Sequence, residues 1–254
     1  MPFVLGPDLE QGVATAAELG YDAFELFPPN REAIDNAKIA QLCESHGIKI
    51  STVGTGGGWV ADKLSFTDPD AGVRTRALDY AKSLVEAVGE LGGMAIIGSM
   101  QGRAGEQPRE EAIQRLADAL NELGEYASKW EQVLLYEPLN RYETDLINTI
   151  GEASTLLDTM GNPNVKLLAD LFHMNIEEVD SAAALRDNAS NIGHIHFVDS
   201  NRWPAGFGHT KFAPIAGALK EIEFDGYVAM EVYPLPSQQE AAEASINAFN
   251  KYLK

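Results

Sequence analysis

Residues 133–170, VLLYEPLNRYETDLINTIGEASTLLDTMGNPNVKLLAD, contain the stretch that decides the fold prediction. Two apolar runs, Val133–Glu137 and Val165–Asp170, have the length of buried strands. Between them, Ile150–Met160 has the spacing of a helix. A crossover that returns the chain to a parallel neighbouring strand is usually a helix of this size. The stretch therefore predicts a strand–helix–strand unit in a parallel sheet.

The same alternation of short apolar runs and amphipathic stretches extends in both directions from this unit. The other predicted strands are Phe3–Leu5, Asp22–Phe27, Lys49–Val53, Met94–Ser99, Ile192–Val198 and Tyr227–Val232. The other predicted helices are Asp8–Leu19, Arg31–Ser45, Asp70–Leu91, Pro108–Trp130, Asp180–Asn188, Pro214–Ile222 and Gln238–Leu253. Eight strand–helix units in 254 residues fit an α/β protein of the (β/α)8 TIM-barrel type. With no break in the pattern, residues 1–254 are predicted to form a single domain.

Composition narrows the classes of partner. The formal net charge is −19, whereas nucleic-acid binding needs a basic surface, so we expect no nucleic-acid partner. We find no apolar run near the roughly 18 residues of a spanning helix and no visible signal peptide, and we expect no membrane contact. The single cysteine, Cys43, rules out an intrachain disulfide. Together these features predict a cytoplasmic protein.

The later predicted strands share one feature: each is apolar until a potential metal ligand near its C-terminal end. These residues are Glu137, Asp170, His196 and Glu231. In a (β/α)8 barrel the C-terminal strand ends meet at one face, which carries the active site. We therefore expect the four side chains to converge near the barrel axis.

Three converging carboxylates would repel one another, and the late strands contain no lysine or arginine near them to balance the charge. Carboxylate and imidazole donors without a thiolate favour one divalent cation per chain. We predict Mn²⁺, with Co²⁺, Mg²⁺ and Zn²⁺ as alternatives. For any one of these residues alone, a helix cap or a structural salt bridge would be the better interpretation. His194 lies on the same side of its strand as His196, and we interpret it as a residue that orients a ligand.

Four runs in the C-terminal half carry a family resemblance. They are YEPLNRYET (136–144), LLADLFHMNIEE (167–178), GHIHFVDSNR (193–202) and MEVYPLP (230–236). In this order and spacing they resemble the ketose 3-epimerase branch of the xylose isomerase-like barrels. That branch includes D-tagatose and D-psicose 3-epimerases and the 5-keto-L-gluconate epimerase type, and hydroxypyruvate isomerase is related to it.

The resemblance implies a role for each matched residue. Glu137, Asp170, His196 and Glu231 are similar to the family's metal ligands, and Glu137 and Glu231 also to its two acid/base groups. Three further residues match positions that contact the substrate: Glu143, His173 and Arg202. The N-terminal half shows the alternation of strands and helices that the family has, but it carries few residues diagnostic of the family. It therefore does not identify the substrate.

The implied activity is C3 epimerisation of a ketose or keto-sugar acid, by proton abstraction and return through a metal-stabilised enediolate. A dehydratase of the keto-inositol or dehydroshikimate type and hydroxypyruvate isomerase remain alternatives, because the same proton removal serves them. A non-catalytic sugar-binding barrel would not need two carboxylates at one metal. An endonuclease relative is disfavoured by the charge of −19. By analogy with relatives, a homodimer or homotetramer is expected.

The segment Thr55–Asp62 (TGGGWVAD) lacks the Lys-Ser/Thr of a phosphate-binding P-loop. We predict a mobile active-site loop here, with Trp59 as an apolar wall for the ligand.

Overall fold

Seven parallel strands form one sheet in the computed structural model, which describes residues 8–254. The strands are β1 (Ala23–Leu26), β2 (Lys49–Gly54), β3 (Met94–Ile97), β4 (Leu134–Tyr136), β5 (Val165–Asp170), β6 (Ile192–His196) and β7 (Tyr227–Ala229). Each pairs in parallel with the next along the chain. They correspond to the second to eighth predicted strands, and the first, Phe3–Leu5, lies outside the described residues.

Ten α-helices in residues 8–254 accompany the sheet. They are α1 (Leu9–Leu19), α2 (Asn36–His46), α3 (Gly56–Asp62), α4 (Ala71–Gly89), α5 (Arg109–Ala127), α6 (Ile150–Met160), α7 (Leu171–Glu177), α8 (Ser181–Asp187), α9 (Phe212–Glu221) and α10 (Gln238–Tyr252). Local sequence sets many boundaries. For example, the Thr149 hydroxyl accepts a hydrogen bond at the start of α6, and Gly161 ends that helix with φ +65°. No helix in this part of the chain is long and apolar enough to cross a membrane.

The sheet is curled into a nearly closed barrel. Glu25 on β1 contacts His194 on β6, with Oε1 and Nε2 2.8 Å apart, although four strands separate β1 and β6 in the sheet order. A flat sheet would hold these side chains far apart, since neighbouring strands are about 4.8 Å apart. The predicted α/β barrel is confirmed.

An apolar layer fills the inside of the barrel beneath the ends of the central strands. Ile96, Leu135 and Leu168 pack together and are almost completely buried. Because strand side chains alternate, the residues two positions after Leu135 and Leu168 point to the same interior. Those residues are Glu137 and Asp170, so two of the predicted ligands lie directly above this apolar layer.

The prediction of a mobile loop at Thr55–Asp62 is wrong, because Gly56–Asp62 forms helix α3. Its glycines allow close packing: a Cβ on Gly57 would lie 2.5 Å from the Pro28 carbonyl oxygen. A Cβ on Gly58 would lie 2.9 Å from the Tyr80 ring. The glycines therefore allow α3 to pack closely against its neighbours, and they do not make the segment a loop. Trp59 is partly buried against the main core.

Two further helical segments differ from the prediction. The predicted helix Arg31–Ser45 is divided into a 3₁₀ turn, Arg31–Ala33, and α2, because the Asp35 carboxylate caps a new helix start at the Lys38 amide. Helix α7 lies where no element was predicted, and it begins at the Asp170 carboxylate, which accepts a hydrogen bond from the Phe172 amide.

Candidate metal centre

The four predicted ligands come together at the C-terminal ends of the strands. Asp170 and His196 are the last residues of β5 and β6 and are register partners. Glu137 follows β4 directly, and its amide donates to the Ile97 carbonyl, which extends the ladder by one bond. Glu231 lies two residues beyond β7. One ligand atom from each of the four lies within 4.8 Å of all the others.

His196 Nδ1 faces all three carboxylates of this cluster. It lies 3.5 Å from Asp170 Oδ2, 3.7 Å from Glu231 Oε2 and 3.9 Å from Glu137 Oε1. Glu137 Oε1 and His196 Nδ1 are buried and have no hydrogen-bond partner within residues 8–254. Buried polar atoms normally have a hydrogen-bond partner. Two potential ligand atoms without one, both facing the same point, are therefore consistent with a site for a metal ion. The oxygen and imidazole donors suit a divalent metal.

A cation lies next to the carboxylates, although it does not come from one of the late strands. Arg202, in the loop after β6, donates from Nη2 to Glu231 Oε2 and lies 3.4 Å from Asp170 Oδ2. It comes from a loop rather than a late strand, which is why the strand sequences did not reveal it. Three carboxylates and one guanidinium still leave two negative charges when all are ionised. That remainder matches one divalent cation.

Crowding and burial change the pKa values of the carboxyl groups. Burial and the nearby Glu231 carboxylate hold the pKa of Glu137 well above its usual range, and His196 only partly offsets this. The pKa of Glu231 is also raised by burial, against the lowering effect of Arg202. Burial opposes ionisation of Asp170, but His173, His196 and Arg202 bring its pKa well below its usual range. Without a bound cation, the cluster therefore combines one carboxylate whose pKa is lowered with two carboxyl groups whose pKa values are raised.

Glu25 is a site residue that the sequence analysis missed. Its Oε2 lies 3.3 Å from His196 Nε2, the ring nitrogen that points away from the cluster. Its Oε1 contacts His194 Nε2 and accepts from the Thr52 hydroxyl at 2.7 Å. Burial would raise the pKa of Glu25, but the two histidines lower it well below the ordinary value. His194 therefore contacts Glu25 rather than the cluster. The sequence does contain a signal for Glu25, because it is an acidic residue inside the apolar run DAFELF.

His173 lies beside the cluster on helix α7. Its Nδ1 is 3.1 Å from the Asn140 backbone nitrogen and 2.7 Å from the Asn140 side-chain amide nitrogen, and both nitrogens are donors. Nδ1 must therefore accept, which leaves the proton of a neutral ring on Nε2. Burial lowers the pKa of His173 and favours that neutral form. Nε2 lies 3.8 Å from Glu137 Oε1 and, in the described part of the chain, lacks a hydrogen-bond partner.

Glu143 and Phe172 complete the surroundings of the cluster. Glu143 Oε1 accepts from the Asn140 amide at 3.1 Å and lies 3.9 Å from His173 Nδ1. The guanidinium of Arg202 lies over the Phe172 ring, 4.8 Å from its centroid, which is a cation–π contact. His173 and Arg202 therefore lie within 4 Å of clustered carboxylates, and Glu143 lies one residue further out, beside His173.

The loop that carries Arg202 is folded around the buried carboxylate of Asp199. This carboxylate accepts backbone hydrogen bonds from Ser200, Gly206 and Thr210 at 2.7, 2.8 and 3.0 Å. These bonds overcome the effect of burial and lower the pKa of Asp199. Arg202 itself has φ +61°, an uncommon conformation for a residue with a side chain. Asp199 was not among the predicted site residues.

Comparison with known proteins identifies the family of this chain. Residues 13–252 match the family described as "Xylose isomerase-like TIM barrel". D-psicose 3-epimerase of Enterocloster bolteae is 31% identical, over 89% of this chain and 77% of that protein. 3-Dehydro-D-guloside 4-epimerase of Escherichia coli is 28% identical, over 84% and 83%. A crystal structure of D-psicose 3-epimerase with D-tagatose from Clostridium cellulolyticum H10 superposes with TM-score 0.86 at 22% identity, covering 98% and 95% of the two chains.

The fold and the sequence matches define a class. The chain belongs to the xylose isomerase-like TIM barrel family, in its ketose 3-epimerase branch. The resemblance found in the sequence is therefore confirmed. The relatives named above are epimerases, so the chain is an enzyme of the isomerase class.

Proposed function

We propose that this protein is a divalent-metal-dependent sugar epimerase that inverts C3 of a ketose or keto-sugar acid. The observation that carries the proposal is the cluster of Glu137, Asp170, His196 and Glu231, in which one ligand atom from each residue lies within 4.8 Å of all the others. We propose all four as metal ligands, with Mn²⁺ as the ion and Co²⁺, Mg²⁺ or Zn²⁺ as alternatives. Bound there, the ion would polarise a substrate carbonyl and balance developing negative charge.

Glu137 and Glu231 are proposed to move the proton. One carboxylate removes the proton from C3, and the C–H electron pair forms a C2–C3 double bond while the carbonyl oxygen gains negative charge. The other carboxyl group then delivers a proton to the opposite face of C3, and the carbonyl re-forms. The two groups reach the cluster from β4 and from the end of β7, which are well separated around the barrel. Proton transfer of this kind is typically worth about 10²–10⁴-fold in rate.

The bordering residues are proposed to orient the sugar. His173, neutral and protonated on Nε2, presents a hydrogen-bond donor beside Glu137. Arg202 offers a fixed cationic donor next to Glu231, suited to an oxygen that gains charge during the reaction. Glu143 presents an acceptor for a substrate hydroxyl at the edge of the cluster. Donors and acceptors on three sides would hold the ketose with C3 near the two acids.

The test is solvent deuterium exchange at C3. Purified protein with Mn²⁺ in D₂O is offered free ketoses, keto-sugar acids and ketose phosphates, and the products are analysed by NMR. We expect one deuterium at C3 without loss of water, together with the epimeric sugar. The Glu231→Gln variant should lose exchange by at least about 10²-fold while keeping its fold. Glu44→Gln, which alters an exposed helix residue, is the matched control.

Three outcomes would contradict the proposal in different ways. Loss of water from the substrate would indicate a dehydratase. Metal-independent sugar binding without exchange would indicate a binding protein. Near-normal exchange in Glu231→Gln would remove Glu231 from the proton transfer.

A further inference from the structure

Arg202 has an unusual backbone conformation for its place in the fold. Four residues other than glycine in the described chain have a positive φ: Lys63, Glu131, Arg202 and Glu223. The other three lie at the C-terminal ends of helical segments, where the left-handed conformation is common. Arg202, with φ +61°, lies in the loop between β6 and α9 and ends no helix. Such strain persists where the surrounding structure holds a residue in place, often at a functional site.

Backbone hydrogen bonds hold Arg202 on both sides. Its amide donates to the Asp199 carbonyl at 2.9 Å, and its carbonyl accepts from the Tyr233 amide at 2.8 Å. The Asp199 amide donates to the Trp203 carbonyl at 3.0 Å, so Asp199 and Arg202 lie in one tight turn. Tyr233 lies two residues after Glu231, the carboxylate that pairs with the Arg202 guanidinium. The backbone of Arg202 is therefore tied to the segment that carries its ion-pair partner.

The Asp199 side chain organises the remainder of this loop. In addition to its three backbone amides, the carboxylate accepts from the Ser200 hydroxyl at 3.2 Å. That hydroxyl accepts in turn from the His209 amide at 3.0 Å. A Cβ on Gly208 would lie 2.3 Å from Asp199 Oδ1, so the loop closes directly onto the carboxylate. One buried carboxylate therefore determines the path of the chain that carries Arg202.

The guanidinium on this loop has a donor that no contact uses. Arg202 Nε is buried and has no hydrogen-bond partner within residues 8–254, whereas Nη2 is bonded to Glu231 and lies 3.4 Å from Asp170 Oδ2. Buried donors normally have a partner, so this N–H is available to a ligand oxygen beside two of the proposed metal ligands. A donor that is fixed before the ligand arrives needs no reorganisation when charge develops on that oxygen.

We propose that Asp199 is a positioning residue for the epimerisation, because it holds the loop in the conformation that directs the Arg202 guanidinium at the substrate. The inference rests on the proposed function and adds to it a residue that, in the described chain, makes no hydrogen bond to the clustered residues. When Asp199 is replaced, we expect the guanidinium to lose its fixed place beside Glu231. Stabilisation of the developing charge would then be lost, which lowers kcat more than it raises KM.

The experiment is a double-mutant cycle in the C3 deuterium-exchange assay with Mn²⁺. Values of kcat and KM are measured for wild type, Asp199→Asn, Arg202→Ala and the double variant, with the sugar that wild type converts best. We expect Arg202→Ala to lower kcat by about 10²-fold or more, and Asp199→Asn to lower it by about 10-fold. In the Arg202→Ala background, Asp199→Asn should change kcat by less than about 2-fold, because the group that it positions is already absent. Asp187→Asn, at an exposed helix end, should leave kcat unchanged in both backgrounds.

A second variant and a second measurement keep the test independent of the stability of Asp199→Asn. Gly208→Ala retains Asp199 but displaces its carboxylate, and its effect on kcat should also disappear in the Arg202→Ala background. Crystal structures of the folded variants show the loop directly. We expect the guanidinium to move away from Glu231 and residue 202 to leave the left-handed conformation.

The outcomes separate this inference from the function on which it rests. A fall in kcat that depends on the presence of Arg202 supports the inference. Equal falls in both backgrounds, an unchanged kcat in Asp199→Asn, or a guanidinium that keeps its place in the variant crystals overturns the inference alone. Absence of exchange by the wild-type protein with every sugar overturns the proposed function and the inference together.

Discussion

Glu25 Oε2 and His196 Nε2 lie 3.3 Å apart inside the barrel, where β1 faces β6. The contact uses the ring nitrogen opposite the three carboxylates, so it fixes the direction in which Nδ1 points. Glu25 is held in turn by His194 and by the Thr52 hydroxyl. A carboxylate beside the outer nitrogen of a histidine that binds a metal helps to orient the ring, so we expect Glu25 to orient His196 in this way if His196 is a ligand.

Glu25→Ala should weaken metal binding without removing any proposed ligand. We expect a loss of about 10–100-fold in Mn²⁺ affinity, because the His196 ring would lose its fixed orientation. Electron paramagnetic resonance of free Mn²⁺ during titration gives the affinity directly. Glu44→Gln, on the surface of α2, should bind as wild type does. Unchanged affinity in Glu25→Ala would show that the barrel packing alone orients His196.

Asn140 should control catalysis through the tautomer of His173. In Asn140→Ala the side-chain donor to Nδ1 is lost, and the proton is less firmly confined to Nε2. The backbone amide of residue 140 still donates to Nδ1, so we expect kcat for C3 exchange to fall by about 10-fold at most, as for the loss of one hydrogen bond. Mn²⁺ affinity should be preserved, and His173→Ala should lose more activity than Asn140→Ala. Kinetics and Mn²⁺ titration of both variants are the measurement. Equal kcat in wild type and His173→Ala would contradict a role for this histidine in substrate binding.

The buried carboxylate of Asp199 should stabilise the protein in a pH-dependent way. Its pKa is lowered in the folded state, so its stabilising effect is complete above the unfolded value of about 3.9 and is lost as pH falls through the lower folded value. We expect Asp199→Asn to reduce the free energy of unfolding by about 1–3 kcal/mol at pH 7, and by less below about pH 4. Urea unfolding of metal-free protein at pH 7 and pH 3.5 measures both values. Asp187→Asn, at an exposed helix end, is the control; a pH-independent difference for Asp199→Asn would contradict the account.

Close packing of helix α3 should make Gly57 intolerant of a side chain. A Cβ there would lie 2.5 Å from a backbone oxygen, so we expect Gly57→Ala to lower the free energy of unfolding by about 1–3 kcal/mol. Gly151, within α6, has nothing within 4 Å of its Cβ position. Gly151→Ala should therefore raise stability by about 0.5–1 kcal/mol. Urea denaturation of the pair distinguishes packing from flexibility; similar effects in both variants would restore the loop interpretation.

The barrel and the four clustered residues could be predicted because both depend on short-range pattern. Apolar runs that end in a carboxylate or histidine mark strand ends, and parallel strands bring those ends to one face. Glu137, Asp170, His196 and Glu231 were found in this way, and the structure brings them within 4.8 Å of one another. Their role as metal ligands stays a proposal that the experiments above test.

The missed features depend on contacts between distant parts of the chain. Glu25 lies in the first half of the sequence, and its contact with His196 exists only because β1 and β6 face each other across the barrel. Arg202 balances the carboxylates from a loop whose shape is set by Asp199. The glycines of α3 looked flexible because their neighbours, Pro28 and Tyr80, cannot be read from the local sequence. The single-domain extent, the cytoplasmic location and the oligomeric state stay predictions.

Anomalous diffraction from crystals grown with Mn²⁺ tests the central claim most directly. The account predicts one peak per chain, within about 2.0–2.5 Å of atoms from Glu137, Asp170, His196 and Glu231, and its absence in crystals of Asp170→Asn. A peak elsewhere, or no peak at Mn²⁺ concentrations that support C3 exchange, would contradict it.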